Sequence, residues 1–277
     1  MRAALDRYIQ DSGLDPPESV TVMPLEGDGT VASRVEKLFQ DLVGRADVHE
    51  LREADAILIG THSQGCPVST HLLARLLTEG YIRSTETTIA MLGLCGVHQG
   101  PLTYINKSAV LGPVIQYFDG NAAATELFEF QDTESKTARE YIAALATILD
   151  HNVKVVLVAS LNDQVVPVYS STFAAAHHPN ILRLLHIDGW AYDQADSIFV
   201  THLIRFCLQL RNAGVDDGGL IAHLSESVAH GLTGVGHSTA YAEDASYACA
   251  SDAVSSLLCL RLTPLCFASQ LCRPHPV

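Results

Sequence analysis

Continuous apolar runs alternate along this chain with segments whose apolar residues recur at helical spacing, and no other feature restricts the fold as much. The runs are Val20–Leu25, Ala56–Ile59, Thr88–Leu94, Val153–Ala159 and Ile181–Ile187. Between and after them lie the helical series Val31, Val35, Leu38, Phe39, Leu42; then Val68, Leu72, Leu73, Leu76; then Ala138, Tyr141, Leu145, Ile148; then Phe199, Leu203, Ile204, Cys207. A strand that is apolar at consecutive positions buries both of its faces, which happens when helices cover a parallel sheet on either side. The pattern therefore predicts an α/β fold: a mostly parallel sheet with helices on both faces. A further helix is expected after Pro167. The long excursion at 98–152 is expected to form a helical, cap-like insertion. In it Phe118, Leu127, Phe128, Phe130 and Tyr141 are candidates to line an apolar pocket, with core packing as the alternative.

With 277 residues and 48% apolar content the chain can bury a sizeable core. Nothing between Val20 and Asp193 reads as a flexible spacer, so one domain is expected, with a low-charge tail at 244–277. A formal net charge of -14 repels phosphate backbones and anionic headgroups, and no basic patch offsets it, which argues against nucleic-acid or membrane-surface binding. The apolar run from Ala253 to Leu271 is interrupted by Arg261 and Pro264, so no transmembrane segment is expected. Arg2, Asp6, Arg7 and Asp11 exclude the apolar core of a secretory signal from Met1 to Gly13. The seven cysteines form no Cys-x-x-Cys pair and sit mostly in apolar runs, as buried thiols do in a reducing compartment. An intracellular, cytoplasmic location is the resulting expectation.

Chemistry concentrates in Thr61-His62-Ser63-Gln64-Gly65, directly after one apolar run and directly before a helix whose first turn holds Pro67. A serine can attack a carbonyl only if a sharp strand-to-helix turn holds it clear of its own strand, and such turns need small neighbours, normally Gly-x-Ser-x-Gly. Here Thr61 stands where the first glycine belongs. Ser63 is the candidate nucleophile, and the backbone N–H of Gln64, at the helix N-terminus, is the candidate oxyanion donor. The alternative is a small residue in an ordinary turn. Asp163, in the loop just past the run that ends at Ala159, is the candidate acid, with helix capping as its other reading. His237, in Gly234-Val235-Gly236-His237-Ser238, is the candidate base. The interval from Asp163 to His237 is about twice that usual in chains ordered serine, acid, histidine, so His186 and His202 stay open as alternatives.

Two other motifs carry less. Gly27-Asp28-Gly29-Thr30-Val31-Ala32 matches a dinucleotide-binding turn in its glycines, but Glu26 and Asp28 would set negative charge beside a pyrophosphate. His177-His178 is an adjacent pair whose side chains diverge, without the spacing of a hydrolytic metal site. No cofactor and no metal is implied.

Four blocks together resemble a fungal α/β-hydrolase-domain family of the YMC type. They are Leu25-Glu26-Gly27-Asp28-Gly29 with Arg34-Val35; His62-Ser63-Gln64-Gly65 with Pro67-Val68-Ser69; Asn162-Asp163-Gln164 with Val166-Pro167; and Leu232-Thr233-Gly234 with Gly236-His237-Ser238. The resemblance spans 14–243. It implies an α/β-hydrolase-like domain and adds no substrate; the residues themselves give the expectation that Ser63, Asp163 and His237 form a Ser-Asp-His triad acting on a small-molecule or lipid-like ester. It also implies upstream strands: Val20–Leu25 resembles the fourth strand of the fold, so the early strands are expected to be missing, as in an incomplete gene product. A second oxyanion donor would then be lost, and an exposed sheet edge would invite self-association. The competing expectation is a hydrolase-like fold kept for binding or scaffolding, without turnover.

Overall fold

The structure, a computed structural model, describes residues 15–102, 121–187 and 195–229, together with 6, 9–11, 237, 240 and 265–270. Strand β1 (Val20–Leu25) leads through a turn, in which Gly29 has φ 101°, into helix α1 (Val31–Val43). Thr30 caps that helix, its side chain accepting from Ser33 N at 3.3 Å and so satisfying one of the N–H groups that a helix start leaves unpaired. The short α2 (Glu50–Glu53) precedes β2 (Ala56–His62). Helix α3 (Gly65–Thr78) follows, then β3 (Thr88–Leu94), α4 (Asn121–Glu129) and α5 (Lys136–Asp150), the last capped by Ser135. Next come β4 (Lys154–Ser160), α6 (Val168–Ser171), β5 (Ile181–His186), α7 (Ala195–Asn212), α8 (Leu220–Ala229) and β6 (Leu265–Gln270).

Element boundaries differ from the expected ones where hydrogen-bond partners outlast the apolar pattern. Strand β2 continues past Ile59 because Gly60, Thr61 and His62 keep register with Leu92, Gly93 and Leu94. The strand thus delivers the chain to the residue before Ser63. Helix α3 starts at Gly65, so Pro67 lies inside its first turn, where a missing N–H costs no intrahelical bond. Helix α7 begins ahead of Phe199, at Ala195.

Every described strand pairing is parallel, in a six-stranded sheet of order β1-β6-β2-β3-β4-β5. In β4 every residue from Val155 to Ser160 is buried, so both faces of that strand are covered, as its unbroken apolar run implied. Strands β1 and β2 do not pair with each other. Between them runs β6, bonded to both, with Cys266 opposite Thr21 on one side and opposite Ile57 on the other. The tail at 244–277, set apart by composition, therefore contributes a strand to the interior of the sheet: composition registers its low charge but not the backbone slot it fills.

The largest apolar cluster joins Met23, Ile57, Met91 and Leu157 on the strands to Leu38, Leu73, Tyr141 and Ile148 on α1, α3 and α5. Each such side chain removed from water contributes about 1.5–3 kcal/mol. A second cluster joins Ala159, Leu161, Val168 and Ala174 to Ile204, Cys207 and Leu208 of α7 and Ile221 of α8. Within the excursion at 98–152, α5 packs against α3, and Glu126 of α4 reaches the start of α1, accepting from Val31 N at 2.7 Å. Phe118 lies outside the described residues. Leu127 is a core residue and Phe128 packs against the core, while Phe130 and Tyr141 border a cavity.

Backbone amides paired between β6 and its two neighbours are expected to exchange slowly with solvent deuterium, and removal of residues 265–270 is expected to release that protection along β1 and the facing edge of β2. Protection that the deletion leaves unchanged would mean that β6 does not fill this slot.

Candidate active site

Ser63 is the first residue past β2, and its backbone has φ 56°, the left-handed region that a non-glycine residue occupies at a cost of about 1–3 kcal/mol. Three hydrogen bonds hold it there. Ser63 N donates to Leu94 O at 3.0 Å, and Ser63 O accepts from Cys66 N at 3.1 Å and from Val97 N at 3.4 Å. Two strand ends and the first turn of α3 thus converge on one strained residue, the geometry that turns a serine side chain out of its strand. Thr61, in place of the usual glycine, is accommodated by a bond of its own: its Oγ1 accepts from Ser69 Oγ of α3 at 3.3 Å.

Asp163 follows β4 and closes a tight turn, its Oδ1 accepting from Val165 N at 2.8 Å and Val166 N at 2.9 Å. The other carboxylate oxygen, Oδ2, accepts from His237 Nδ1 at 2.8 Å. His237 Nε2 in turn meets Ser63 Oγ at 3.1 Å. The three residues singled out as nucleophile, acid and base are therefore joined by one hydrogen-bonded chain, across sequence separations of 174 and 74 residues. His237 has helical backbone, whereas its setting suggested a loop; its immediate neighbours lie outside the described residues. The alternatives stand elsewhere: His186 ends β5 opposite Ser160, and His202 is exposed on α7. Helices α7 and α8 occupy the long interval from Asp163 to His237. Ser63 is 2% exposed and His237 0%, so the chain of bonds is shielded from bulk water.

Gln64, beside the nucleophile, is fixed through its side chain. Its Oε1 accepts from buried Arg34 Nη1 at 2.8 Å and its Nε2 donates to Gly29 O at 3.2 Å, tying the turn after β1 to the turn after β2. Its backbone N–H has no hydrogen-bond partner among the described residues and caps the positive end of α3. The start of α1, where a dinucleotide pyrophosphate would bind, is taken up by the Glu126 carboxylate.

Two residues at the site had no role assigned from the sequence, although His62 lies within the serine motif. His62, also buried, donates from Nε2 to His237 O at 2.8 Å, and its ring lies 4.7 Å from that of His237. Cys95 follows β3 with φ 48°, and burial, with the charge of Asp163 next, drives its thiol pKa well up. The signal available for both was position, since each sits at the same end of the sheet as Ser63. Ligand atoms of His62, Cys95 and His237 lie within 4.8 Å of one another, a set able to hold a metal ion only if His237 gave up Asp163 or Ser63, because both its ring nitrogens are engaged. His177 and His178 do diverge, the first meeting Arg211 Nη1 and the second accepting from Asn180 N.

Burial, reinforced by the neighbouring His237, pulls the pKa of His62 down from 6.5 to about 3; burial, with Arg183, does the same to His98, in the loop after β3. Both imidazoles are neutral in the native state, while an unfolded chain protonates them below pH 6.5. Their contribution to stability is complete above pH 6.5 and declines as pH falls from there toward 3, by about 1.4 kcal/mol per pH unit for each ring. Urea unfolding between pH 7.5 and 5 is expected to follow that slope, and His98→Leu to reduce it by one proton whatever the variant's absolute stability. An unchanged slope would mean that His98 is not neutral in the fold.

Among curated proteins and among solved structures nothing matches the chain. A family model, described as the YMC0/YMC35 alpha/beta hydrolase domain, matches residues 1–260, a span that includes β1 to β5 and all three residues of the hydrogen-bonded chain. Parallel sheet, strained serine turn and family match agree: the chain belongs to the YMC0/YMC35 α/β-hydrolase-domain family.

Proposed function

We propose that the protein is a serine hydrolase of the esterase, lipase or thioesterase type, acting through Ser63, His237 and Asp163. One observation carries the reading: the relay from Ser63 Oγ to His237 Nε2 at 3.1 Å and from His237 Nδ1 to Asp163 Oδ2 at 2.8 Å, starting from a serine held at φ 56°. Ser63 Oγ bonds to the substrate carbonyl carbon while its proton passes to His237 Nε2. Asp163 fixes the imidazole tautomer and stabilises the imidazolium that forms; the two backbone N–H bonds to its other oxygen hold it in orientation. Negative charge that develops on the carbonyl oxygen is met by Gln64 N–H at the start of α3. The tetrahedral intermediate collapses, the alkoxide or thiolate leaves with the proton from His237, and water then repeats the sequence on the acyl-serine. Substrates are small-molecule or lipid-like esters, and the scheme requires no cofactor. Exclusion of water from the relay strengthens each of these charge interactions.

Labelling of the purified chain with a fluorophosphonate is expected to modify Ser63. Ser63→Ala and His237→Ala are expected to abolish the modification, with the far-UV circular dichroism of Ser63→Ala unchanged. Asp163→Asn keeps the geometry but allows the wrong tautomer, and a loss of about 10⁴-fold in rate is expected. A folded chain that resists labelling would favour the second reading, binding or scaffolding without turnover, for which the burial of Ser63 and His237 is the supporting observation.

A further inference from the structure

His237 is anchored both at its ring and at its main chain. The ring Nδ1 donates to Asp163 Oδ2 at 2.8 Å, and the main-chain carbonyl of His237 accepts from His62 Nε2, also at 2.8 Å. These fixed points flank the side-chain torsions that aim His237 Nε2, so the imidazole cannot swing away from Ser63 without breaking a buried bond. A carbonyl oxygen only accepts, so the second anchor requires the hydrogen of His62 to sit on Nε2. Burial, reinforced by His237, keeps the His62 imidazole neutral. His62 is therefore not a second base: its N–H faces a carbonyl, and His237 Nε2 is the nitrogen that meets Ser63 Oγ.

The donor is itself fixed by the sheet. His62 closes β2 in register with Leu94 of β3, and the next residue is Ser63, whose N–H bonds to Leu94 O at 3.0 Å. One strand end thus carries the nucleophile and, on the residue before it, the group that grips the main chain of the base. The two imidazole rings pack with centroids 4.7 Å apart and planes tilted by 52°. Strands hold a group more precisely than loops do, and a reacting pair out of place by about 1 Å loses on the order of a hundredfold in rate. Through His62 the sheet passes its rigidity to a base that lies 175 residues further along the chain.

The anchor matters unequally through the reaction. Before acylation, Ser63 Oγ also steadies the ring, at 3.1 Å from His237 Nε2. Once Oγ is esterified it has no proton to donate, and the ring loses that bond just when it must activate water. In this half of the reaction water adds to the acyl carbon as its proton passes to His237 Nε2. The proton then returns to Oγ as the bond between Oγ and the acyl carbon breaks. The anchors from Asp163 and His62 persist throughout. We propose that His62 is a positioning residue for His237, holding the base by its main-chain carbonyl and acting chiefly in hydrolysis of the acyl-serine. The inference rests on Ser63 acting as the nucleophile.

His62→Gln and His62→Asn test it on the full chain, because both side chains are polar and uncharged and they differ in reach. The Gln amide nitrogen extends to the place of Nε2, whereas the Asn amide stops at that of Nδ1. With p-nitrophenyl acetate, the pre-steady-state burst reports acylation and the steady rate reports hydrolysis of the acyl-serine. His62→Asn is expected to slow the steady rate by about tenfold to a hundredfold and the burst by about threefold or less, so that acyl-serine accumulates. His62→Gln should bring the steady rate back to within about threefold of the native value. Heteronuclear NMR of the native chain with isotopically labelled histidine should find the His62 hydrogen on Nε2, a result that depends on neither variant folding. A hydrogen on Nδ1 instead, a His62→Asn variant that slows both phases equally or neither, or a His62→Gln variant as impaired as His62→Asn would overturn the proposal. A native chain that shows neither turnover nor fluorophosphonate labelling would overturn the nucleophile assignment beneath it.

Discussion

One staggered ladder governs the site. At the carboxyl end of the sheet, the backbone N–H just beyond a strand bonds to a carbonyl in the last three residues of its neighbour: Ser63 to Leu94, Cys95 to Val158, Leu161 to His186. Because all the strands run parallel, each one ends on the same side, and the ladder carries the chain one step past the sheet before releasing it. Residues remote in sequence but equivalent in register then meet without long loops. This is the general reason that open parallel sheets assemble their chemistry at the carboxyl ends of the strands. The left-handed backbone of Ser63 and Cys95 is sustained by the same bonds, which fix both neighbours of each turn.

The cluster assembled there is polar, buried and nearly closed in its hydrogen bonding. Asp163 has two backbone N–H groups on one oxygen and an imidazole on the other; His237 uses both ring nitrogens and its own carbonyl. Each of these bonds offsets the loss of water around a polar group at this depth. Burial pulls the His62 pKa down and drives the Cys95 thiol pKa up, so both of these side chains stay uncharged beside Asp163. Removing any one partner leaves another buried group unsatisfied, which couples the residues energetically as well as geometrically.

Sequence pattern was informative where burial and turn chemistry act locally. The apolar runs identified the strands β1 to β5, and the small residues around Ser63, the loop at Asp163 and the glycines near His237 pointed to the three residues that the structure joins. Strand ends were not legible, since β2 lasts through Gly60-Thr61-His62 only because β3 offers partners. The choice among His237, His186 and His202 was not legible either; it depends on how α7 and α8 return the chain, which no local spacing encodes. His62, though inside the serine motif, and Cys95, in none, were given no role there and acquire their surroundings from register. Strand β6 was hidden for the same reason. Leu265–Gln270 sits in a segment whose composition is that of a tail, and the two open backbone edges on either side make it a strand.

That arrangement has a consequence for how the protein comes into being. The partner that Val20 needs is Leu265, so β1 and β2 are synthesised and released with facing edges unpaired, and they stay so while nearly all of the intervening chain is made. Contacts so distant in sequence must overcome a large loop-closure entropy before they return any stabilisation, and they form slowly. During that wait the nascent chain presents two ready templates for foreign strands, which gives chaperones a specific place to act and makes the order of synthesis part of the folding problem.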